Sequence, residues 1–152
     1  MFKYISGANA ASAKIAMTVP VLTFVQPPAG PFCKTRFTVA FMAPHAGVAA
    51  GGPPAPTDAS VFVKTTGAAE FYVASKGGWV MTDGAEAGMA AGLAAALEAA
   101  GVEFADRVFL AGYDPPFRLV NRHNEVWVPT SEAEFEAWWG KEEEEAGTAA
   151  AE

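Results

Sequence analysis

The sequence has little of what most catalytic and metal-binding sites require. Cys33 is its only cysteine, so no disulfide can form within the chain, and two histidines with one cysteine do not make up a standard zinc ligand set. Neither a phosphate-binding GxxxxGK loop nor a GxSxG nucleophile motif occurs. We therefore predict that the chain is not an enzyme.

An excess of basic charge is also missing. The formal net charge is −7, and eight of the 17 acidic residues fall within residues 132–152, whereas residues 1–131 carry nine acidic and nine basic residues. A neutral body does not present the basic face that nucleic acid phosphates require. The charge distribution thus predicts that nucleic acid is not a partner.

Long hydrophobic runs are absent as well. The Ala-rich stretch of residues 85–100 is interrupted by Glu86 and is too weakly apolar to span a bilayer, and the N-terminus lacks the apolar core of a signal peptide. We expect a soluble chain without a membrane span. The cytoplasm is the favoured compartment, and a plastid or another organelle is the alternative.

Alternating apolar residues predict most of the secondary structure. Residues 15–25 and 36–42 alternate with period two and predict a hairpin, in which Pro20 implies an edge position or a bulge. Methionine and leucine recur every four residues within residues 85–100 and predict the main helix, with Thr82 or Asp83 as its cap and Gly101 at its end. Further strands are predicted near residues 61–64, 70–75, 107–113 and 125–129.

About six strands and one substantial helix predict an α+β fold. We assign residues 1–130 to one domain. Residues 131–152 are assigned to a short helix, capped by Ser131, and an acidic tail rich in alanine and glycine.

Five short segments, in order along the chain, resemble the SOUL heme-binding family, and together they cover roughly residues 2–129. They are FKYISG at residues 2–7 with Asn9, MTVPV at 17–21, GPPAPTD at 52–58 with Val61, AGYDPP at 111–116 and NRHNEVW at 121–127. The resemblance implies a twisted, barrel-like and mostly antiparallel sheet flanked by helices. It also implies an apolar cleft that binds heme or another tetrapyrrole.

The chain departs from the family pattern at its start. Family members have two strands and most of a long helix before the position of Phe2, so the second family helix is largely missing here and the domain is partial at its N-terminus. This departure predicts an exposed sheet edge and exposed apolar surface, and hence marginal stability or self-association.

The resemblance carries over only some site residues. Phe2 and Lys3 match the family's cleft residues at the end of that helix, and Arg118 matches a basic residue after AGYDPP; Lys3 and Arg118 are expected to pair with the propionates. His45 and His123 are the two candidates for an axial iron ligand, although a lone histidine is more often a surface or hydrogen-bonded residue.

Two functions lead among those that the sequence leaves open, and an enzyme acting on a porphyrin-like molecule and a general sensor of apolar ligands are less favoured. The leading prediction is non-catalytic, non-covalent binding of heme or a related porphyrin, in a carrier, buffer or signalling role. The alternative is a protein–protein interaction module in which tetrapyrrole binding is vestigial.

Overall fold

A computed structural model describes residues 1–26, 36–44, 51–78, 84–115 and 117–140. Five strands and three helices lie in these ranges. In chain order they are α1 (Phe2–Ile5), β1 (Val21–Gln26), β2 (Arg36–Phe41), β3 (Phe71–Gly77), α2 (Ala85–Ala100), β4 (Val108–Gly112), β5 (His123–Pro129) and α3 (Glu132–Trp139).

The strands form one antiparallel sheet in the order β2-β1-β4-β5-β3. The register aligns Val21 of β1 with Phe41 of β2 and with Gly112 of β4, and aligns Gly112 with Asn124 of β5. The C-terminal ends of β2 and β4 therefore lie at the same end of the sheet as the first residues of β1 and β5. The sheet is open among the described strands, with β2 and β3 as its edges.

Helix α2 covers one face of the sheet near β5 and β3. Leu97 is buried against Val126 and Val128, and Met89 and Leu93 pack on the same cluster. Their spacing of four residues places these side chains on one side of the helix, as the sequence predicted. Gly101 ends α2 with a φ of 66°, which confirms the predicted C-terminal glycine. The proposed caps, Thr82 and Asp83, lie outside the described residues.

Helix α3 covers the opposite face with an aromatic core. Phe24 of β1 and Phe109 of β4 stack with ring centroids 4.8 Å apart, and Phe135 and Trp139 pack against them. The Ser131 side chain accepts a hydrogen bond from the Glu134 amide, which confirms the predicted cap. Burial of these large rings makes this cluster the main source of apolar stabilisation.

The predicted α+β class, with an antiparallel sheet and one main flanking helix, is confirmed. The prediction of six strands is wrong, because residues 61–70 carry no strand and Val61 donates instead to the Asp58 carbonyl in a turn. The predicted first strand begins only at Val21. Pro20 cannot donate to a ladder and stands just before the strand, and β1 lies inside the sheet rather than at its edge.

Candidate functional site

Helix α1 is a single turn that is anchored by buried polar groups. The Tyr4 hydroxyl donates to the Pro54 carbonyl at 2.7 Å, and the buried Asn9 amide donates to the carbonyls of Tyr4 and Ala13 at 2.9 and 2.7 Å. Since Tyr4 and Ile5 are buried, the neighbouring Phe2 and Lys3 are turned outward. Phe2 is 72% exposed, which is unusual for so large an apolar ring.

The connection between β4 and β5, residues 113–122, presents more apolar surface. Phe117, Leu119 and Val120 are 82%, 69% and 70% exposed, and Arg118 stands among them. Three large apolar side chains exposed within four positions form a patch, and a patch of this kind marks a binding surface more often than scattered single residues do. We call residues 117–120 the presenting loop.

Polar groups hold the presenting loop in place. The Asp114 carboxylate, only 6% exposed, accepts from Arg118 Nη1 at 2.7 Å and from the His123 amide at 2.6 Å. The hydrogen bond from the His123 amide, with the nearby Arg118 guanidinium, lowers the pKa of Asp114. The carboxylate therefore stays ionised near neutral pH and fixes Arg118 relative to the start of β5.

A second carboxylate, Glu125, is surrounded by three donors, one just after β4 and two on β5. It accepts from Tyr113 Oη at 2.7 Å, from Trp127 Nε1 at 2.7 Å and from His123 Nε2 at 2.6 Å. Burial alone would raise the pKa of Glu125, but the hydrogen bonds from Tyr113, His123 and Trp127 outweigh it and lower the pKa. Burial and the hydrogen bond to Glu125 raise the pKa of Tyr113 to about 12.

The predicted site residues fall into two groups at one end of the sheet. The Ile15 amide donates to the Ile5 carbonyl at 2.9 Å, and Ile15 lines a small pocket with Ala43 and Pro44 just after the C-terminal end of β2, which places α1 near that end. The presenting loop follows β4, which lies two strands from β2 in the sheet and therefore about 10 Å from it. Phe2 and Lys3 thus lie at the same sheet end as Arg118.

The structure describes only one of the two histidines that were candidates for an axial iron ligand. His123 is half-exposed on β5, with its ring edge against Tyr113 at 4.8 Å between centroids and its Nε2 bonded to Glu125. His45 lies outside the described residues. In the part of the chain that the structure describes, no group of three or more histidine, cysteine, aspartate or glutamate side chains is placed to hold a metal ion.

An apolar groove of about 710 Å³ runs along the edge strand β2, between α1, residues 60–66 and α3. Phe37, Val39 and Trp139 are among its walls, and its volume is within the range of small-molecule pockets. None of Phe2, Lys3 and Arg118 lines it. One pattern in the sequence indicates this groove, the alternating apolar residues of β2.

Several residues that shape the site were not singled out from the sequence. Asp114, Arg122 and Glu125 lie within the AGYDPP and NRHNEVW segments, but a motif alone does not show which side chain bonds to which. Arg122 is the clearest case, because its three carbonyl partners lie four to eight residues earlier in the chain.

Comparison with known proteins identifies relatives over most of the chain. A family model described as SOUL heme-binding protein matches residues 1–129. Heme-binding protein 2 of Homo sapiens is 34% identical over 137 residues, which cover 86% of this chain and 65% of the relative. Heme-binding protein 2 of Mus musculus is 32% identical over 82% of this chain and 60% of the relative. Heme-binding protein 1 of Bos taurus is 32% identical, over 86% and 67% respectively.

The chain thus spans about two thirds or less of the length of the human and mouse relatives. Within the described ranges, no helix has both the length and the apolar character needed to cross a membrane.

Proposed function

The chain belongs to the SOUL heme-binding protein family, and on this basis we propose that it binds heme or a related tetrapyrrole. Binding in this proposal is non-covalent and no reaction is catalysed, so the chain acts as a carrier, a buffer or a signalling component in the cytoplasm. The relatives with 32–34% identity are named for heme binding, which supports the ligand class.

The observation that carries the proposal is the exposure of large apolar side chains next to both predicted cations. Phe2 precedes Lys3 on α1, and Phe117 and Leu119 flank Arg118 in the presenting loop. A tetrapyrrole with propionates needs this combination, because the ring faces seek apolar contact while the carboxylates seek cations. In the proposal Phe2 and the presenting loop contact the ring, and Lys3 and Arg118 pair with the propionates.

Arg118 fits this role because its internal hydrogen bonds do not use all the donors of its guanidinium. Its Nη1 donates to Asp114 and its Nε donates to the Val120 carbonyl at 3.2 Å. Its Nη2 has no hydrogen-bond partner among the residues that the structure describes. The guanidinium is therefore oriented on one side by Asp114 and can donate to a ligand carboxylate from the other.

The openness of the site sets the expected affinity. At ~0.3 kcal/mol per non-hydrogen atom, the roughly 43 atoms of heme give a ceiling of about 13 kcal/mol. A shallow surface that contacts one ring face reaches about half of that value, which corresponds to a Kd in the tens of micromolar. We expect hemin binding in this range without any iron–protein bond.

The test is a titration with hemin, followed by visible absorbance and tryptophan fluorescence, on the wild type and on matched pairs of variants. Arg118→Ala is expected to weaken binding roughly tenfold, since one charge-assisted pair is lost. Arg36→Ala removes an exposed arginine at the other end of the sheet and should leave the Kd unchanged. Lys3→Ala should resemble Arg118→Ala.

A second pair of variants separates the proposed site from the groove. Phe117→Ala removes an exposed ring of the presenting loop, and Phe37→Ala removes an exposed ring of the groove. A loss of affinity in Phe117→Ala alone supports the proposal. A loss of affinity in Phe37→Ala alone would indicate that the ligand binds in the groove instead. A wild type that does not change the hemin spectrum at high micromolar concentration refutes tetrapyrrole binding.

The alternative, an interaction module with vestigial tetrapyrrole binding, is favoured by the exposed apolar residues of the edge strand β2. It predicts that neither hemin nor metal-free protoporphyrin binds and that the chain nevertheless forms a persistent complex through β2.

A further inference from the structure

The presenting loop has few apolar contacts of its own to keep it in shape. Its three large apolar side chains point outward, and only Arg118 among its residues bonds to an acidic side chain. A loop whose apolar groups face solvent must obtain its conformation from polar anchors or remain mobile. The question is which side chain supplies that anchor.

Arg122 supplies it from beneath the loop. Arg122 is only 5% exposed. Its Nη1 donates to the carbonyls of Pro115 and Arg118 at 2.8 and 2.9 Å, and its Nη2 donates to the carbonyl of Asp114 at 3.2 Å. One planar guanidinium thus ties together the start, the middle and the end of the connection, a task for which its forked donors are suited and a lysine is not.

The anchoring extends to the loop's own backbone and to the neighbouring strands. The Arg118 amide donates to the same Pro115 carbonyl, at 3.0 Å, that Arg122 holds. On the other side, the Arg122 carbonyl accepts from the Gly78 amide at 3.3 Å, next to the end of β3. Arg122 therefore connects the loop to the sheet at the point where Arg118 is displayed.

We propose that Arg122 is a positioning residue for ligand binding, whose buried guanidinium holds the β4–β5 connection in the conformation that presents Arg118 and its apolar neighbours to the tetrapyrrole. Arg122 itself makes no contact with the ligand in this proposal. Its contribution is preorganisation, because a loop that is already ordered loses less entropy when the ligand binds. The inference rests on the proposed function for its ligand.

The experiment compares Arg122→Gln, Arg122→Lys and the wild type in two measurements. Hydrogen exchange of the ligand-free protein reports the order of the loop, and the amide of Arg118 is the direct probe because it shares the Pro115 carbonyl with Arg122. Hemin titration reports the Kd. We expect loss of Arg118 amide protection and a roughly tenfold weaker Kd in Arg122→Gln, with Arg122→Lys intermediate.

Two controls separate positioning from a general loss of stability. Leu97→Ala destabilises the chain by removing a buried side chain of α2 from the cluster with Val126 and Val128, and it should leave both loop protection and the Kd unchanged. In an Arg118→Ala background, Arg122→Gln should lose the part of its effect on the Kd that acts through Arg118 and keep the part that acts through the apolar neighbours, so the two losses should be less than additive.

The outcomes distinguish this inference from the proposed function. A wild type that binds hemin, with an Arg122→Gln variant that binds equally well or keeps its loop protection, overturns the positioning role alone. Equal losses of affinity in Leu97→Ala and Arg122→Gln also overturn it. A wild type that fails to bind hemin overturns the tetrapyrrole proposal, and the exchange data then decide by themselves whether Arg122 orders the loop.

Discussion

The hydrogen bond between Tyr113 and Glu125 gives a prediction whose size and pH dependence both follow from the structure. The Tyr113 hydroxyl donates to Glu125 Oε2 at 2.7 Å, and the carboxylate is 17% exposed. Tyr113→Phe removes this donor and keeps the ring in place. The matched control is Tyr72→Phe on β3, because the Tyr72 hydroxyl has no hydrogen-bond partner among the described residues.

The magnitude follows from the kind of hydrogen bond that is removed. Hydrogen bonds to charged groups contribute ~1.5–3 kcal/mol, and the lower end applies because His123 and Trp127 still satisfy the carboxylate in the variant. The pKa of about 12 for Tyr113 reflects burial first and the interaction with Glu125 second, so the shift is not a measure of this hydrogen bond alone. We expect Tyr113→Phe to lower the free energy of unfolding by about 1–1.5 kcal/mol at neutral pH.

The assay is urea unfolding of the two single variants, Tyr113→Phe and Glu125→Gln, and of the double variant, at neutral and acidic pH. Because the pKa of Glu125 is lowered in the folded state, its contribution is present above the ordinary glutamate pKa and is lost as the pH falls through the folded value. The coupling between Tyr113 and Glu125 should therefore vanish in acid. At the alkaline end, the Tyr113 contribution is complete below pH 10 and is lost as the pH rises towards 12.

Three results would refute this reasoning. They are a cost for Tyr113→Phe no larger than that for Tyr72→Phe, a coupling that persists in acid, and a Tyr113 that titrates at an ordinary tyrosine pKa in the wild type. The last is measured from the absorbance of tyrosinate, and Glu125→Gln should move the titration of Tyr113 downward.

Two further predictions concern the fold. Ser131→Ala removes the cap of α3 and should lower the free energy of unfolding by ~1 kcal/mol, whereas Ser131→Asp should retain it; equal unfolding curves for the wild type and Ser131→Ala would contradict the capping role. The edge strand β2 should also cause concentration-dependent self-association that is measurable by sedimentation, and Val39→Lys should abolish it while Val73→Lys on the other edge strand does not; a wild type that stays monomeric at all concentrations would contradict this expectation.

Periodicity predicted some elements well for identifiable reasons. In α2 the apolar residues recur every four positions on an alanine background, so the pattern permits only one buried side, and the helix was predicted correctly. In β1 both faces are apolar, and the pattern favoured Val21 and Val25, whereas the structure buries Leu22 and Phe24. Helix α3 packs on one face of the sheet, and this packing determines which residues of β1 are buried. A local sequence pattern does not contain that information.

From the sequence, the residues of the candidate site could be predicted from their motifs, but the bonds between them could not. The positions of Phe2, Lys3 and Arg118 came from a resemblance, and the structure places them at one end of the sheet. The pairing of Asp114 with Arg118 and the anchoring by Arg122 depend on how a ten-residue connection folds back on itself. The bonds of Arg122 join its side chain to backbone carbonyls, and every residue has a carbonyl, so the sequence does not indicate which ones are used.

The hydrogen bond between His123 and Glu125 bears on whether His123 can ligate iron. Nε2 of His123 is bonded to Glu125 at 2.6 Å, so ligation by this residue would have to use Nδ1. A histidine that ligates a metal usually has its other ring nitrogen bonded to a carboxylate, and Glu125 would fill that role for His123. Nδ1, however, is bonded to the ring carbon that carries Cβ, and a flat macrocycle centred on iron at that nitrogen would meet Cβ and the backbone of β5. We therefore expect hemin and metal-free protoporphyrin to bind with Kd values that agree within about threefold.

His123→Gln is the variant that checks this expectation, because a glutamine can still donate to Glu125 while the imidazole is removed. Its hemin spectrum and Kd should match those of the wild type. Hemin that binds far more tightly than protoporphyrin, with the difference abolished by His123→Gln, would show that His123 ligates the iron after all. The same difference abolished by His45→Ala would assign the bond to the other histidine. Equal binding of the two ligands in the wild type would mean that apolar contact and propionate pairing alone hold the ring.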